Sequence, residues 1–269
     1  MALPAYAMNL SNFPEMYERL LVGPLFQPWV DVLLDRVNFA AGDRLLDIAC
    51  GTGIVARVAK ARLGDGGQVV GVDVSPQMLA VARGVAPGIE WREGNAGALP
   101  VDSDETFDVV VCQQGLQFFP DKPAACHQMR AVLAPGGRLA VATWRHDDEI
   151  PFFRDLRRVA ERHLGPVADQ RYGFGDATAL ASQLTDAGFS DVQVNTVSRT
   201  IRFADGAVFV RMNTMALVGM SAGSKTMSDE ERPRMVAAIV EDSAAVLSAY
   251  TQEGELAFDL STNLATARR

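Results

Sequence analysis

The sequence predicts an α/β protein built on a doubly wound parallel sheet, and three observations carry that expectation. Strand-like and helix-like runs alternate from Arg44 onward, the order that yields parallel strands joined by crossover helices. Most strand candidates are apolar over their length, as expected when helices cover both faces of a sheet. The first of them, Leu45-Leu46-Asp47-Ile48-Ala49-Cys50, passes through Gly51-Thr52-Gly53 straight into a helix-like run. A glycine turn there lets the backbone approach a ligand closely.

The elements follow in order. Residues 1–40 carry Pro14, Pro24 and Pro28 between short helical pieces, Glu15 to Val22 and Trp29 to Val37, and read as an N-terminal helical cap. Residues 41–204 read as the α/β core. Its strands are expected at Arg44–Cys50, Gln68–Val74, Ile89–Asn95, Phe107–Gln113 and Arg138–Trp144. Helical spacing of apolar residues marks Ile54–Leu63, Pro76–Val85 and Lys122–Leu133. Ser75 before Pro76 is an N-cap with proline in the first helical position. Further helices are expected at Phe152–Leu164 and at Ala177–Ala187, the latter closed by Gly188. Val192–Phe203 alternates as a long strand. A Met- and Ala-rich helical insertion at 205–253, over Ala207–Val218 and Glu231–Tyr250, precedes a final strand at 254–269, centred on Ala257–Ala267. Such an insertion is placed to serve as a lid.

The second strand, Gln68 to Asp73, ends in a carboxylate twenty positions after Gly53. Strand, glycine turn, helix, strand and acid at this spacing form a βαβ ligand unit, with the acid placed to accept hydrogen bonds from ribose hydroxyls. Composition sets the class. A net charge of −8 argues against a nucleic-acid backbone as partner. No apolar run reaches membrane-span length, and the N-terminus lacks the basic-then-apolar pattern of a secretory signal. Cys50, Cys112 and Cys126 show no metal-ligand or redox spacing. They read as small buried hydrophobes in a reducing, cytoplasmic compartment.

With the glycine turn, Asp73, Asn95-Ala96 and Leu133-Ala134-Pro135-Gly136-Gly137-Arg138 on the page, the chain resembles the class I S-adenosylmethionine-dependent methyltransferases. The likeness covers roughly Tyr17 to Phe203 and is greatest to the quinone-biosynthesis and small-molecule group. The resemblance implies a Rossmann-like sheet of seven strands, the last antiparallel and inserted between the fifth and sixth. It also implies S-adenosylmethionine as cofactor. Asp47 and the backbone from Ala49 through Cys50 and Gly51 to Gly53 would surround its methionine part, with Tyr17 closing over that end. Asp73 would hold the ribose, Val74 and Met78 the adenine face, Asn95 and Ala96 the adenine edge. Gln113 and Gln114 would lie beneath the reacting methyl group. Ala49 stands where a glycine is more usual, which is tolerable if its φ is negative; Asn95 replaces the more usual aspartate and keeps an acceptor oxygen.

The residues themselves suggest where an acceptor would sit. Open α/β sheets bind ligands at the carboxyl edge of their strands. His146, with Asp147 and Asp148 to orient it, is the candidate general base there; a solvated loop histidine is the alternative. Phe118 and Phe119, with Trp144, Phe152 and Phe153, are candidates for an apolar substrate pocket, or for plain core. His127 and His163 read as surface histidines. The expected activity is methyl transfer to a carbon, oxygen or nitrogen of a small, partly apolar molecule. A non-catalytic cofactor-binding module is one alternative. A nicotinamide-dependent dehydrogenase is another, although Ala56 stands where its fingerprint wants a third glycine.

Overall fold

The computed structural model describes residues 13–269. These form two compact units, one of residues 13–143, Ala177–Thr196 and Asn263–Arg269, the other of Trp144–Asp176 and Val197–Thr262. Residues 1–12 of the expected cap lie outside the described part.

In the first unit, α1 (Phe13–Tyr17), a π-helical stretch (Glu18–Phe26) and α2 (Gln27–Val37) follow one another without a break. Two separate helices were expected because Pro24 and Pro28 interrupt the pattern. Pro24 falls inside the wide π turn, where the ladder is already irregular. Pro28 falls at the junction where the π stretch passes into α2, with its fixed φ suited to the first turn. Then come β1 (Arg44–Ile48), α3 (Ile54–Leu63), β2 (Gln68–Asp73), α4 (Pro76–Val85), β3 (Glu90–Glu93), β4 (Phe107–Gln113), α5 (Lys122–Ala131) and β5 (Leu133–Trp144). The Ser75 cap forms as expected, its Oγ accepting from Met78 N at 3.2 Å.

Strands β1 to β5 pair in parallel. On β5 the register jumps from Leu133, opposite Phe107, to Arg138, opposite Val109. Pro135, Gly136 and Gly137 make that bulge; Gly136 holds φ +74°, and a Cβ on Gly137 would fall 2.8 Å from Ala134 O. The sequence placed the strand only from Arg138, after the bulge.

Beyond β5 lie α6 (Pro151–Leu164), α7 (Ala177–Asp186), β6 (Ser190–Phe203), α8 (Gly206–Met220), α9 (Glu231–Asp242), α10 (Ala244–Ala249), β7 (Thr251–Gln252) and β8 (Glu255–Arg268). The strand order is β3-β2-β1-β4-β5-β8-β6, with the two-residue β7 paired to β8. Seven strands were expected, and β7 is the addition. It is half of a tight hairpin through Glu253 and Gly254, both at positive φ. Arg269 N donates to Gly137 O and Arg145 N to Ser261 O, so β8 runs antiparallel to β5 and sits between the fifth and sixth strands.

A core of Val30, Leu33, Leu34, Leu45, Val55, Ala59, Val109, Val111 and Ala140 joins α2 and α3 to one face of the sheet. The second unit takes in more than the insertion expected at 205–253. It includes Trp144–Asp176, because α6 buries Val159 and Ala160 against Leu217 and Val218 of α8 and Val236 and Ile239 of α9. The single helix expected over Glu231–Tyr250 breaks at Ser243, whose buried hydroxyl donates to Ile239 O at 2.7 Å.

Candidate active site

The site begins where β1 ends. Asp47 is buried, and its Oδ2 accepts from Ala56 N in the first turn of α3 at 3.0 Å. The carboxylate thus caps a helix N-terminus, where backbone donors and the helix dipole favour negative charge. Burial nevertheless pushes its pKa up to about 8; the Ala56 hydrogen bond opposes the rise and the charge of Asp73 adds to it.

Between Asp47 and α3 the chain turns through three left-handed residues, Ala49 (φ +57°), Gly51 (φ +55°) and Gly53 (φ +88°). The negative φ that would make Ala49 comfortable is therefore not what the structure adopts. An L residue there carries about 1–2 kcal/mol of strain. Space for its methyl group comes from Gly115, whose own Cβ would collide with Ala49 Cβ at 2.5 Å. The turn is pinned to β2 by Cys50 N donating to Val72 O at 3.0 Å and Gly51 N to Asp73 Oδ2 at 2.8 Å.

The two glycines of the turn serve different neighbours. A Cβ on Gly53 would strike the Trp91 indole at 2.2 Å, so that side is filled by protein. Among the described residues, a Cβ on Gly51 would meet only the Tyr17 ring, with the hydroxyl at 3.9 Å. The open face of the turn is therefore at Gly51. Tyr17 packs on Phe26 with ring centroids 5.0 Å apart. Burial, followed by the charges of Asp73, Glu18 and Asp47, pushes its phenol pKa far up and keeps it neutral. The Asp73 carboxylate beside this neutral hydroxyl makes a setting that attracts a cation. Asp47 keeps its proton at neutral pH until a cation binds, and Glu18 is shared with Arg57.

Asp73 accepts from Gly51 N and from Ser75 N at 2.9 Å, leaving lone pairs on both oxygens. Beside it Val74 is 69% exposed, unusual for valine at a strand end, and Met78 is half-buried. Asn95 is exposed and its Oδ1 accepts from Gly97 N at 2.8 Å; Ala96 is buried. Gln113 Nε2 donates to Phe26 O at 3.2 Å, tying β4 to the N-terminal helix, while its buried Oε1 has no partner among the described residues. Gln114 adopts φ +56° as the chain leaves the strand. Phe119 is half-buried, its ring 3.6 Å from where a Gly115 Cβ would stand, and Phe118 is 51% exposed.

All of these residues belong to the first unit. Trp144, His146, Phe152 and Phe153 belong to the second. There Phe152 and Phe153 are core residues. Phe152 stacks on Phe258 at 4.4 Å and meets Tyr250 at 5.0 Å, and Phe153 packs on Tyr172 at 5.0 Å. Trp144 is buried. Asp147 and Asp148, expected to orient His146, are ion-paired with Arg157 instead. His163 pairs with Asp242 at 2.8 Å, and His127 is exposed.

Sequence reasoning gave no role to Trp91, Glu18 or Gln117. Trp91 sits on β3, where the sequence signals only a strand. Glu18 follows Tyr17 directly and is ion-paired to Arg57 at 2.8 Å; that adjacency was the available signal. Gln117 is buried in the short turn after β4. The three thiols are buried and free, and burial raises their pKa values, so none is poised as a nucleophile.

A family model described as a methyltransferase domain matches residues 45–137, the stretch that contains the turn and Asp73. The chain is 30% identical over 197 residues to the 2-phytyl-1,4-naphtoquinone methyltransferase of Thermosynechococcus vestitus, covering 66% of this chain and 87% of that protein. It is 31% identical over 184 residues to a ubiquinone/menaquinone biosynthesis C-methyltransferase of Cronobacter sakazakii, covering 61% of this chain and 73% of that one. Phosphoethanolamine N-methyltransferase 2 of Haemonchus contortus, solved with S-adenosyl-L-methionine, shares the fold at a TM-score of 0.59 and 17% identity, covering 96% of this chain and 57% of that one. Motif order, sheet topology and these likenesses agree, and the chain belongs to the class I S-adenosylmethionine-dependent methyltransferase family.

Proposed function

We propose that the first unit binds S-adenosylmethionine across the Ala49–Gly53 turn and that its methyl group passes to a small, partly apolar acceptor. The observation that carries this reading is the open face at Gly51, set between the Tyr17 hydroxyl and Asp73, with the carboxyl groups of Asp47 and Glu18 near the same hydroxyl. When bound, the cofactor supplies a methyl group already attached to a good leaving group.

The chain's own residues then have defined tasks. Asp73 accepts the ribose hydroxyls through the lone pairs its two backbone donors leave over. Val74 and Met78 face the adenine, and Asn95 and Ala96 its edge. Asp47 and Glu18 attract the positive charges of the methionine end, and Tyr17 closes over it. Gln113 and Gln114 lie near the methyl group. Phe118 and Phe119 offer the acceptor an apolar surface beside β4. Alignment of donor and acceptor and exclusion of water supply the rate. An acceptor that is already nucleophilic needs no acid–base pair, so His146 carries no step.

The names of the quinone-methylating relatives support an apolar ring as the acceptor class. A net charge of −8 speaks against nucleic acid. Among the described residues no helix is long and apolar enough to cross a membrane; the three free thiols support a cytoplasmic setting. The test has two stages. Calorimetry with S-adenosylmethionine should show micromolar-range binding, and its absence at millimolar concentration would refute the reading. Incubation with quinols, phenols and amines should then yield S-adenosylhomocysteine. Binding without turnover of any of them would leave a binding module in place of an enzyme.

A further inference from the structure

Gln117 is buried, with 6% of its surface exposed, yet neither Nε2 nor Oε1 has a hydrogen-bond partner among the described residues. A carboxamide taken out of water with both ends unmatched is unfavourable unless a bound molecule meets it. Its place in the fold is equally specific. It lies in the Leu116–Phe118 turn that leaves β4 at the carboxyl edge of the parallel sheet. Gly115, two residues earlier, packs against the Ala49 methyl group of the cofactor turn. Among the described residues, Gln113 Oε1 at the end of β4, four residues before Gln117, is a further buried atom without a partner, and so is Thr52 Oγ1 in the turn after β1. Phe118, beside Gln117, is the exposed large apolar residue of this edge segment.

We infer that the Gln117 carboxamide is a specificity-determining contact for the methyl acceptor and reads a neutral hydroxyl group on it. This rests on the methyl-transfer reading above. The chemistry selects the class. A hydroxyl both donates and accepts, so one group can donate to Oε1 and accept from Nε2. A carboxylate has only acceptors and would set its lone pairs against Oε1. An ammonium has only donors and would set N–H against Nε2. Either charged group would also need burial beside an uncharged side chain, which is costly. Phe118 supplies the apolar surface for the ring that carries the hydroxyl.

The experiment uses three probes of matched ring size, 1-naphthol, 1-naphthoate and 1-naphthylmethylamine, titrated into the protein saturated with S-adenosylhomocysteine. In the wild type, 1-naphthol should bind at least about ten-fold more tightly than either charged probe. Gln117→Leu should lose about ten-fold in 1-naphthol affinity and keep its S-adenosylhomocysteine affinity. Its ligand-free melting temperature should hold or rise, because an unmatched polar group has been removed. Equal binding of the three probes, an equal loss of cofactor affinity, or a ligand-free melting temperature several degrees lower would each overturn the inference. A wild type that fails to bind S-adenosylhomocysteine overturns the cofactor reading instead. In that case the ligand-free melting temperature of Gln117→Leu still decides whether the carboxamide is matched within the protein.

Discussion

The indole of Trp91 occupies the volume that a side chain on Gly53 would need, with Cη2 2.2 Å from the missing Cβ. The same ring lies 2.4 Å from where a Cβ on Gly71 would stand, and its Nε1 donates to Ala86 O at 3.0 Å. One side chain on β3 therefore wedges the start of α3 against β2. Gly53 is required by internal packing and by its φ of +88°, before any ligand is considered. Gly53→Ala should lose about 2–4 kcal/mol in urea unfolding, combining the collision with left-handed strain. Trp91→Ala should cost about 3–5 kcal/mol through the cavity it leaves. The two losses should be far from additive, since the second substitution removes the clash made by the first. Additive losses would show that the contact is not what constrains Gly53.

Asp73 sits between the turn and the ribose it is proposed to hold. Asp73→Ala releases Gly51 N and Ser75 N together, so the turn loosens as the ligand contact goes. S-adenosylmethionine affinity should fall by at least about ten-fold, the equivalent of one charge-assisted hydrogen bond. Asp73→Asn keeps an acceptor for one backbone donor and should lose less. Calorimetry on both variants settles the order, and an Asp73→Ala protein that binds like the parent removes Asp73 from the site.

Much of the first unit was legible because its signals are local. Ile54–Leu63, Pro76–Val85 and Phe107–Gln113 have the expected bounds, set by a glycine turn, a Ser-Pro cap and an unbroken apolar run. Legibility ended where side-chain contacts outvote periodic pattern. Ser243 interrupts a helix whose apolar periodicity continues past it; its hydroxyl back-bonds to Ile239 O one turn earlier, a local bond that periodicity does not register. Phe152 and Phe153 sit on a helix whose aromatic partners include Phe209, Tyr250 and Phe258, far along the chain. No spacing near residue 152 could announce that cluster. Asp147 and Asp148 pair with Arg157 on the following helix, ten and nine residues away. Within the candidate site, residue types were readable but their φ values were not, and Ala49 is the clearest case.

Ala49 and Gly115 form a coupled pair. The Ala49 methyl group points to where Gly115 lacks a side chain, so Gly115→Ala should destabilise by about 1–3 kcal/mol through overpacking, with Cys112 Sγ also only 2.9 Å away. Ala49→Gly removes left-handed strain at φ +57° and should be neutral or stabilising by up to about 1 kcal/mol, the strain relief being offset by the entropy of glycine. In the Ala49→Gly background the cost of Gly115→Ala should shrink. Thermal unfolding of the four proteins gives the coupling, and a zero value would dissociate the pair.

Asp47 supplies the pH dependence. Its folded-state pKa lies at about 8 against an ordinary 3.8, raised chiefly by burial. The sign is opposite to that of a salt-bridged carboxylate. Below 3.8 both folded and unfolded forms hold the proton and Asp47 contributes nothing. From 3.8 to about 8 the unfolded chain has released it while the folded chain keeps it, so stability falls as pH rises, and levels off above that window. Asp47→Asn should flatten this part of the profile and leave the Ala56 N–H satisfied by the amide oxygen. Ligand binding should read the same group in reverse. A bound sulfonium and ammonium favour the ionised carboxylate, so S-adenosylmethionine binding at pH 7 should release up to one proton per site and tighten as pH approaches 8. Calorimetry in buffers of different ionisation enthalpy measures that release directly. Asp47→Asn should abolish it, and an unchanged proton count in the variant would assign the titration to another group.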